Sequence, residues 1–213
     1  MNKKEIELIE DLPLRPIDIW YTFLVALGKK PSSWYFISSD IWRKGQAPKH
    51  ICQNQIDEIK KVYDEVGIRC SFKISASNAG IMQSDENDER LSETCEILIA
   101  KDDETLNNLV KAVGNKDHEK IGCLLGFPET AVSAFTTKDN IKKSDLEPKI
   151  RFSELASFTQ FALSKSNWQQ ELETVKGWLE TLKSTSDITY RECYKQFNVL
   201  DEKTREILIN YYS

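Results

Sequence analysis

Residues 68 to 75 alternate without a break, with Ile68, Cys70, Phe72 and Ile74 set against Arg69, Ser71, Lys73 and Ser75. A period of two sends successive side chains to opposite faces of a strand, so this stretch calls for a sheet with one buried face and one wet face. Any fold for this chain has to cover one side of that strand. Two further strands are expected at "SSWYFIS", residues 32–38, and at "TCEILIA", residues 94–100. The intervening "WRKGQAPKH" and "ASNAGIMQSDENDERLS" read as loops, the second of a length uncommon in compact domains.

Helices supply the cover. Ile17, Trp20, Tyr21, Leu24 and Leu27 fall three and four apart, Pro16 suits a first helical position, and Gly28 suits the position just past the end. Cys52, Ile56, Ile59, Tyr63 and Val66 repeat in the same way before Gly67 closes a second helix. Asp103 opens a third, with Leu106, Leu109, Val110 and Val113 on one face. The order strand, helix, strand, strand, helix predicts an α+β fold, a small mainly antiparallel sheet with covering helices, similar to part of a ferredoxin-like unit.

From residue 116 onward only helical patterns are seen, so an all-helical C-terminal part is expected. Ser166 to Gln169 and Thr189 to Glu192 fit capping boxes. The first leads a stripe of Trp168, Leu172, Val175, Leu179 and Leu182, and the second a face of Tyr190, Cys193, Tyr194 and Phe197. Asp201 should cap a last helix with Ile207, Leu208 and Tyr211 inward. Charge-rich residues 138–150 read as a solvated linker, dividing an α+β domain at 1–137 from a helical subdomain at 151–213.

Charge and cysteine usage narrow the function classes. Twenty-nine Lys and Arg against thirty-four Asp and Glu give a net charge of −5, which disfavours a phosphate backbone as partner, so no nucleic acid is expected. "IWYTFLVALG" is about half the roughly 20 residues that a bilayer span needs, and "MNKKEIELIEDL" lacks the apolar core of a secretory signal. A cytoplasmic protein with no membrane segment is the expectation. Its five cysteines lie far apart, so neither disulfides nor a metal site is expected, and each thiol is read as a small buried apolar residue. Glycine-rich phosphate loops, a Gly-x-Ser-x-Gly elbow and His-Glu-x-x-His are absent from the sequence, and no cofactor is called for.

The most tightly specified stretch is "DHEKIGCLLGFPETAVSAF", residues 117–135. Gly126 can take the left-handed backbone that ends a helix; Phe127, preceding proline, is pushed out of the helical region; Pro128 starts the next helix. Phe127 is then free to fold back on Ile121, with Ala131, Val132 and Phe135 on the inner face of the second helix. His118 lies one turn before Gly122, which leaves room above a residue without a side chain for a ligand or a neighbouring helix. Glu129 and Thr130 stand in the first turn of the next helix, where the helix dipole favours negative charge. A Cys123–His118 dyad is disfavoured, because five residues of helix turn the two side chains roughly 140° apart. His118, Gly122, Gly126, Phe127 and Thr130 form the candidate ligand site, and His118 and Glu129 are the candidate catalytic groups.

"LLGFPETAVSAF" is similar to a Leu-Gly-Tyr/Phe-Pro-x-Cys-Cys-Val/Ile-x-x-Phe motif of uncharacterised prokaryotic domain families. Leu125, Gly126, Phe127, Pro128, Val132 and Phe135 match it, while Thr130 and Ala131 stand where the paired cysteines would be. The resemblance implies a shared turn, without the chemistry of a cysteine pair. The expected function is binding of another protein or a small ligand at the junction of the two parts, with no identifiable catalytic set. A hydrolase or transferase using His118, with carboxylates supplied by the fold, is the alternative. A nucleic-acid binder would need Lys143, Lys149, Arg151 and other cations gathered on one face.

Overall fold

The computed structural model describes residues 1–40, 42–43, 50–78 and 90–212. Its elements run α1 (Lys3–Glu10), α2 (Pro16–Ala26), β1 (Ser32–Ser38), β2 (Trp42–Arg43), α3 (Gln53–Glu65), β3 (Arg69–Asn78), β4 (Arg90–Ala100) and α4 (Asp103–Gly114). Then come α5 (His118–Leu124), α6 (Glu129–Thr137), a short 3-10 turn (Lys143–Asp145), α7 (Pro148–Arg151), α8 (Glu154–Phe158), α9 (Trp168–Thr185), α10 (Asp187–Gln196) and α11 (Glu202–Tyr212). This is an α+β fold.

The sheet is antiparallel throughout, with β4 in the centre, β3 on one side and β1 on the other. β1 and β3 therefore run the same way with β4 between them and α3 connecting them, which is the split β-α-β arrangement. β2 pairs with the start of β4, Trp42 opposite Leu91, so the first two residues of the expected loop "WRKGQAPKH" are sheet instead. Most of "ASNAGIMQSDENDERLS" lies outside the described residues, and its ends extend β3 and β4.

Alternation on β3 is realised against β4. Cys70, Phe72 and Ile74 stand opposite Ile99, Ile97 and Cys95, and Tyr35 and Ile37 of β1 face the same Ile97 and Cys95 from the other side. Trp20, Phe23 and Leu24 of α2 join these residues, Ile74 excepted, in one apolar cluster that also takes in Phe158, Val175, Trp178, Leu179, Leu182 and Cys193. Ile74, expected on the buried face, is 48% exposed toward the far end of β3. The cluster thus draws on residues from both sides of 138–150. Within that stretch, Leu146 is buried and Ile141 N–H donates to Leu163 C=O at 2.8 Å. The sheet's other face is also covered at one end, where Leu98 is buried and α4 packs with its buried Leu109 and Ala112.

Three helix ends follow one rule. Gly28, Gly67 and Gly126 have φ of +67°, +71° and +72°, and in each case the next N–H reaches back to the carbonyl five residues earlier. This is the Schellman turn, which satisfies carbonyls that a helix end otherwise leaves bare. Elsewhere the expected caps shift. Ser186 rather than Thr189 caps α10, accepting from Thr189 N–H, and its own hydroxyl meets Glu10; α9 begins after Asn167 without a side-chain cap. Asp201 does accept from Thr204 N–H at 3.0 Å, but α11 turns Ile207 and Tyr211 outward, 58% and 79% exposed, because it meets the rest of the molecule mainly through Tyr212 against Phe152 and Arg151.

Of the three glycines, Gly126 is the most constrained. A Cβ there would lie 2.7 Å from Pro31 Cδ, whereas one on Gly28 would meet nothing within 4 Å. Gly28→Ala should therefore cost about 1 kcal/mol from backbone strain alone, and Gly126→Ala about 2 kcal/mol or more because Pro31 must also move. Urea titration of both variants checks the order, and equal losses would contradict the close packing at Pro31.

Candidate functional site

The Gly-Phe-Pro joint is held from below by the turn between α2 and β1. Ser32 hydroxyl donates to Leu124 C=O at 2.6 Å, and Gly126 packs on Pro31. Fixed in this way, α5 and α6 pack against each other at Gly122 and Val132, and their shared face borders a cavity of about 480 Å³. Its opposite wall is the irregular stretch 159–162 that follows α8.

His118, Gly122 and Phe127 of the candidate set come together in this cavity, joined by Ile121, Leu125, Ala131, Val132 and Phe135. The space immediately above Gly122 is taken by the neighbouring helix, since a Cβ there would be 2.7 Å from Val132 Cγ2. His118 is exposed at the rim, where its ring stands edge-on to Phe135 at 6.4 Å. Phe135, expected on the inner face, is 58% exposed there. Phe127 turns toward Phe161 and Trp178, with ring centroids 5.3 and 6.5 Å away.

Glu129 and Thr130 are placed elsewhere, on a shallow polar depression with Ser133, Asp139, Ser164 and Asn167. Thr130 hydroxyl donates to Glu171 at 2.6 Å, and the other oxygen of that buried carboxylate accepts from Ser164 N–H at 2.8 Å. Glu171 thereby ties α6 to α9 and to the end of the cavity's second wall. Among the described residues, no Asp or Glu lines the cavity.

Behind Phe127 lies a group that the sequence did not single out. Lys30 is 2% exposed, and its ammonium sits over the rings of Trp178, Tyr21 and Phe127 at 4.4, 4.5 and 4.7 Å. Among the described residues no carboxylate pairs with it. Burial lowers the amine to about 7, while the three ring faces favour its cation. In the sequence Lys29 and Lys30 look alike, and charged residues are read as solvated; here Lys29 is exposed and Lys30 is not.

The thiols are all free. Cys95 and Cys193 are buried, as expected of structural cysteines, and burial pushes Cys193 up to about 12. Cys52 and Cys123 are exposed, contrary to that expectation, because each lies at a helix edge turned from the core. Lys143, expected in a solvated linker, is partly buried with its ammonium 2.7 Å from Ala156 C=O. Among the described residues, no three His, Cys, Asp or Glu side chains gather as a metal would require. No helix described here is long and apolar enough to cross a membrane.

The arrangement defines an α+β protein with an apolar cavity at a helical joint and a caged lysine behind its wall. Comparison with known family models, curated proteins and solved structures finds no match to the chain.

Two outcomes follow. His118→Ala should change stability by no more than about 0.5 kcal/mol in urea unfolding, because the exposed ring makes only an edge contact with Phe135. Lys30 has its folded pKa below the ordinary value of 10.5, so above about 7 the unfolded state binds more protons and stability rises with pH. Between roughly pH 6.5 and 8 the urea midpoint of the wild type should climb relative to that of Lys30→Met, the comparison cancelling the loss that both share as unfolded thiols begin to titrate toward about 8.5.

Proposed function

We propose that the protein is a cytosolic binding protein that takes a small, largely apolar ligand into the cavity between α5, α6 and residues 159–162. The observation that carries this reading is the cavity itself. Its roughly 480 Å³ falls in the range of small-molecule sites, about 300–1,000 Å³, and its lining is dominated by aliphatic and aromatic side chains with a few polar groups at the edge. His118 and Gln160, both exposed, are those groups, and they suit a ligand with one hydrogen-bonding end; Thr159 is buried with its hydroxyl donating to Leu155 C=O at 2.7 Å.

Free thiols support a reducing compartment, since disulfides are the usual state of thiols outside it. The net charge of −5 supports a partner other than nucleic acid. Hydrolysis or group transfer through His118 is the weaker reading, because a general base needs an orienting or complementary group and, among the described residues, no carboxylate lines the cavity beside the histidine.

Benzyl alcohol is a suitable probe, with an apolar ring and one hydroxyl. It should raise the thermal midpoint of the wild type in proportion to RT ln(1 + [L]/Kd). Ala162→Phe, which places a ring in the half-buried wall, should unfold cooperatively and show no such rise. A wild-type midpoint that ignores the probe, or a variant that responds equally, would count against the cavity as the binding site.

A further inference from the structure

Lys30 and the cavity share a wall. Phe127 lines the cavity and is also one of the rings around the ammonium, and Phe161 lines the cavity while packing at a tilt against Phe127. A single ring therefore separates a buried amine from a space sized for a small molecule. The amine has no hydrogen-bond or ion-pair partner among the described residues. Surrounded by Tyr21 of α2, Trp178 of α9 and Phe127 of the joint, it faces ring carbons, with no carboxylate of a described residue paired to it.

We propose that Lys30 is a nucleophilic amine that forms an imine with an aldehyde or ketone of apolar body held in the cavity, with the Phe127 ring acting as the door. This rests on the reading of the cavity as a ligand site and adds the ligand's chemical class. In the step, the neutral amine adds its lone pair to the carbonyl carbon. Two protons pass from nitrogen to the carbonyl oxygen, the oxygen departs as water, and a C=N bond replaces C=O. No oxidant or reductant is required.

The surroundings fit each requirement of that step. A lysine stripped of water and of anionic partners is held in its nucleophilic form near neutrality, with burial bringing the amine to about 7, whereas a solvated lysine at 10.5 is almost wholly protonated there. Aromatic faces still accept the positive charge that appears on the protonated imine. Water for the reverse reaction is scarce, since Lys30 is 2% exposed and Trp178 is 6% exposed. The door is built on a position whose backbone is set by the turn at Gly126, so the ring alone has to swing while the chain stays in place.

The experiment is reductive trapping of the intact chain with benzaldehyde and cyanoborohydride at pH 7, read by peptide mass mapping. Lys30 should be benzylated at least about tenfold faster than any other lysine, given how little neutral amine the others offer at that pH. Benzyl alcohol should slow the labelling of Lys30 by competing for the cavity, and Phe127→Leu should speed it. Labelling spread over surface lysines with Lys30 untouched overturns the proposal, and so does labelling of Lys30 that benzyl alcohol leaves unchanged. If benzyl alcohol stabilises the protein while Lys30 stays unlabelled, the cavity remains a binding site and the imine is ruled out. If benzyl alcohol neither stabilises nor protects, both readings fail together.

Discussion

The contact of Gly126 with Pro31 sets the geometry on which the rest of the molecule's second half depends. Only a residue without Cβ allows the joint to come within van der Waals range of the turn that leads into β1, and the left-handed φ of Gly126 is the conformation that a Schellman turn demands. The same residue thus meets a local and a long-range requirement. With the joint pinned there, and with Ser32 hydroxyl on Leu124 C=O, the directions of α5 and α6 follow from the corner between α2 and β1.

From that corner the cavity and the cage arise as two sides of one wall. The face shared by α5 and α6 borders the opening, and the Phe127 ring fills the space beneath it where Lys30 is buried among Tyr21 and Trp178. A buried ammonium without a carboxylate would ordinarily be among the most unfavourable features of a core. Three ring faces offset part of that penalty and depression of the pKa reduces it further, yet the amine remains a group whose burial calls for a reason beyond stability. Glu171 is handled differently, since both of its oxygens are satisfied by Thr130 and Ser164, and it serves to hold the cavity's two walls together.

Much of the candidate site was legible because it is local. The turn at Gly126, the two short helices and the approach of His118, Gly122 and Phe127 all depend on residues within a dozen positions of one another. What was not legible depends on who comes to meet them. The space above Gly122 is occupied by Val132, and His118 at the rim meets only the edge of Phe135 from α6. Phe127 finds partners on residues 161 and 178 rather than on its own helix. Phe135 and the outer face of α11 show the same limit, since helical periodicity identifies a stripe but not whether a neighbour arrives to cover it.

By itself the sequence determined the alternation of β3 and the three glycine-terminated helix ends, because each is decided by backbone sterics and side-chain period over a few residues. It determined the α+β class for the same reason, since the order of elements restricts how one sheet can be covered. The tertiary structure alone decided that Trp42 and Arg43 extend the sheet, that Glu171 bridges α6 and α9, and that Lys30 is buried while Lys29 is not. Burial of a charge is a property of the place to which distant rings are brought, and Tyr21, Phe127 and Trp178 meet around Lys30 only once the joint has closed on the corner at Pro31.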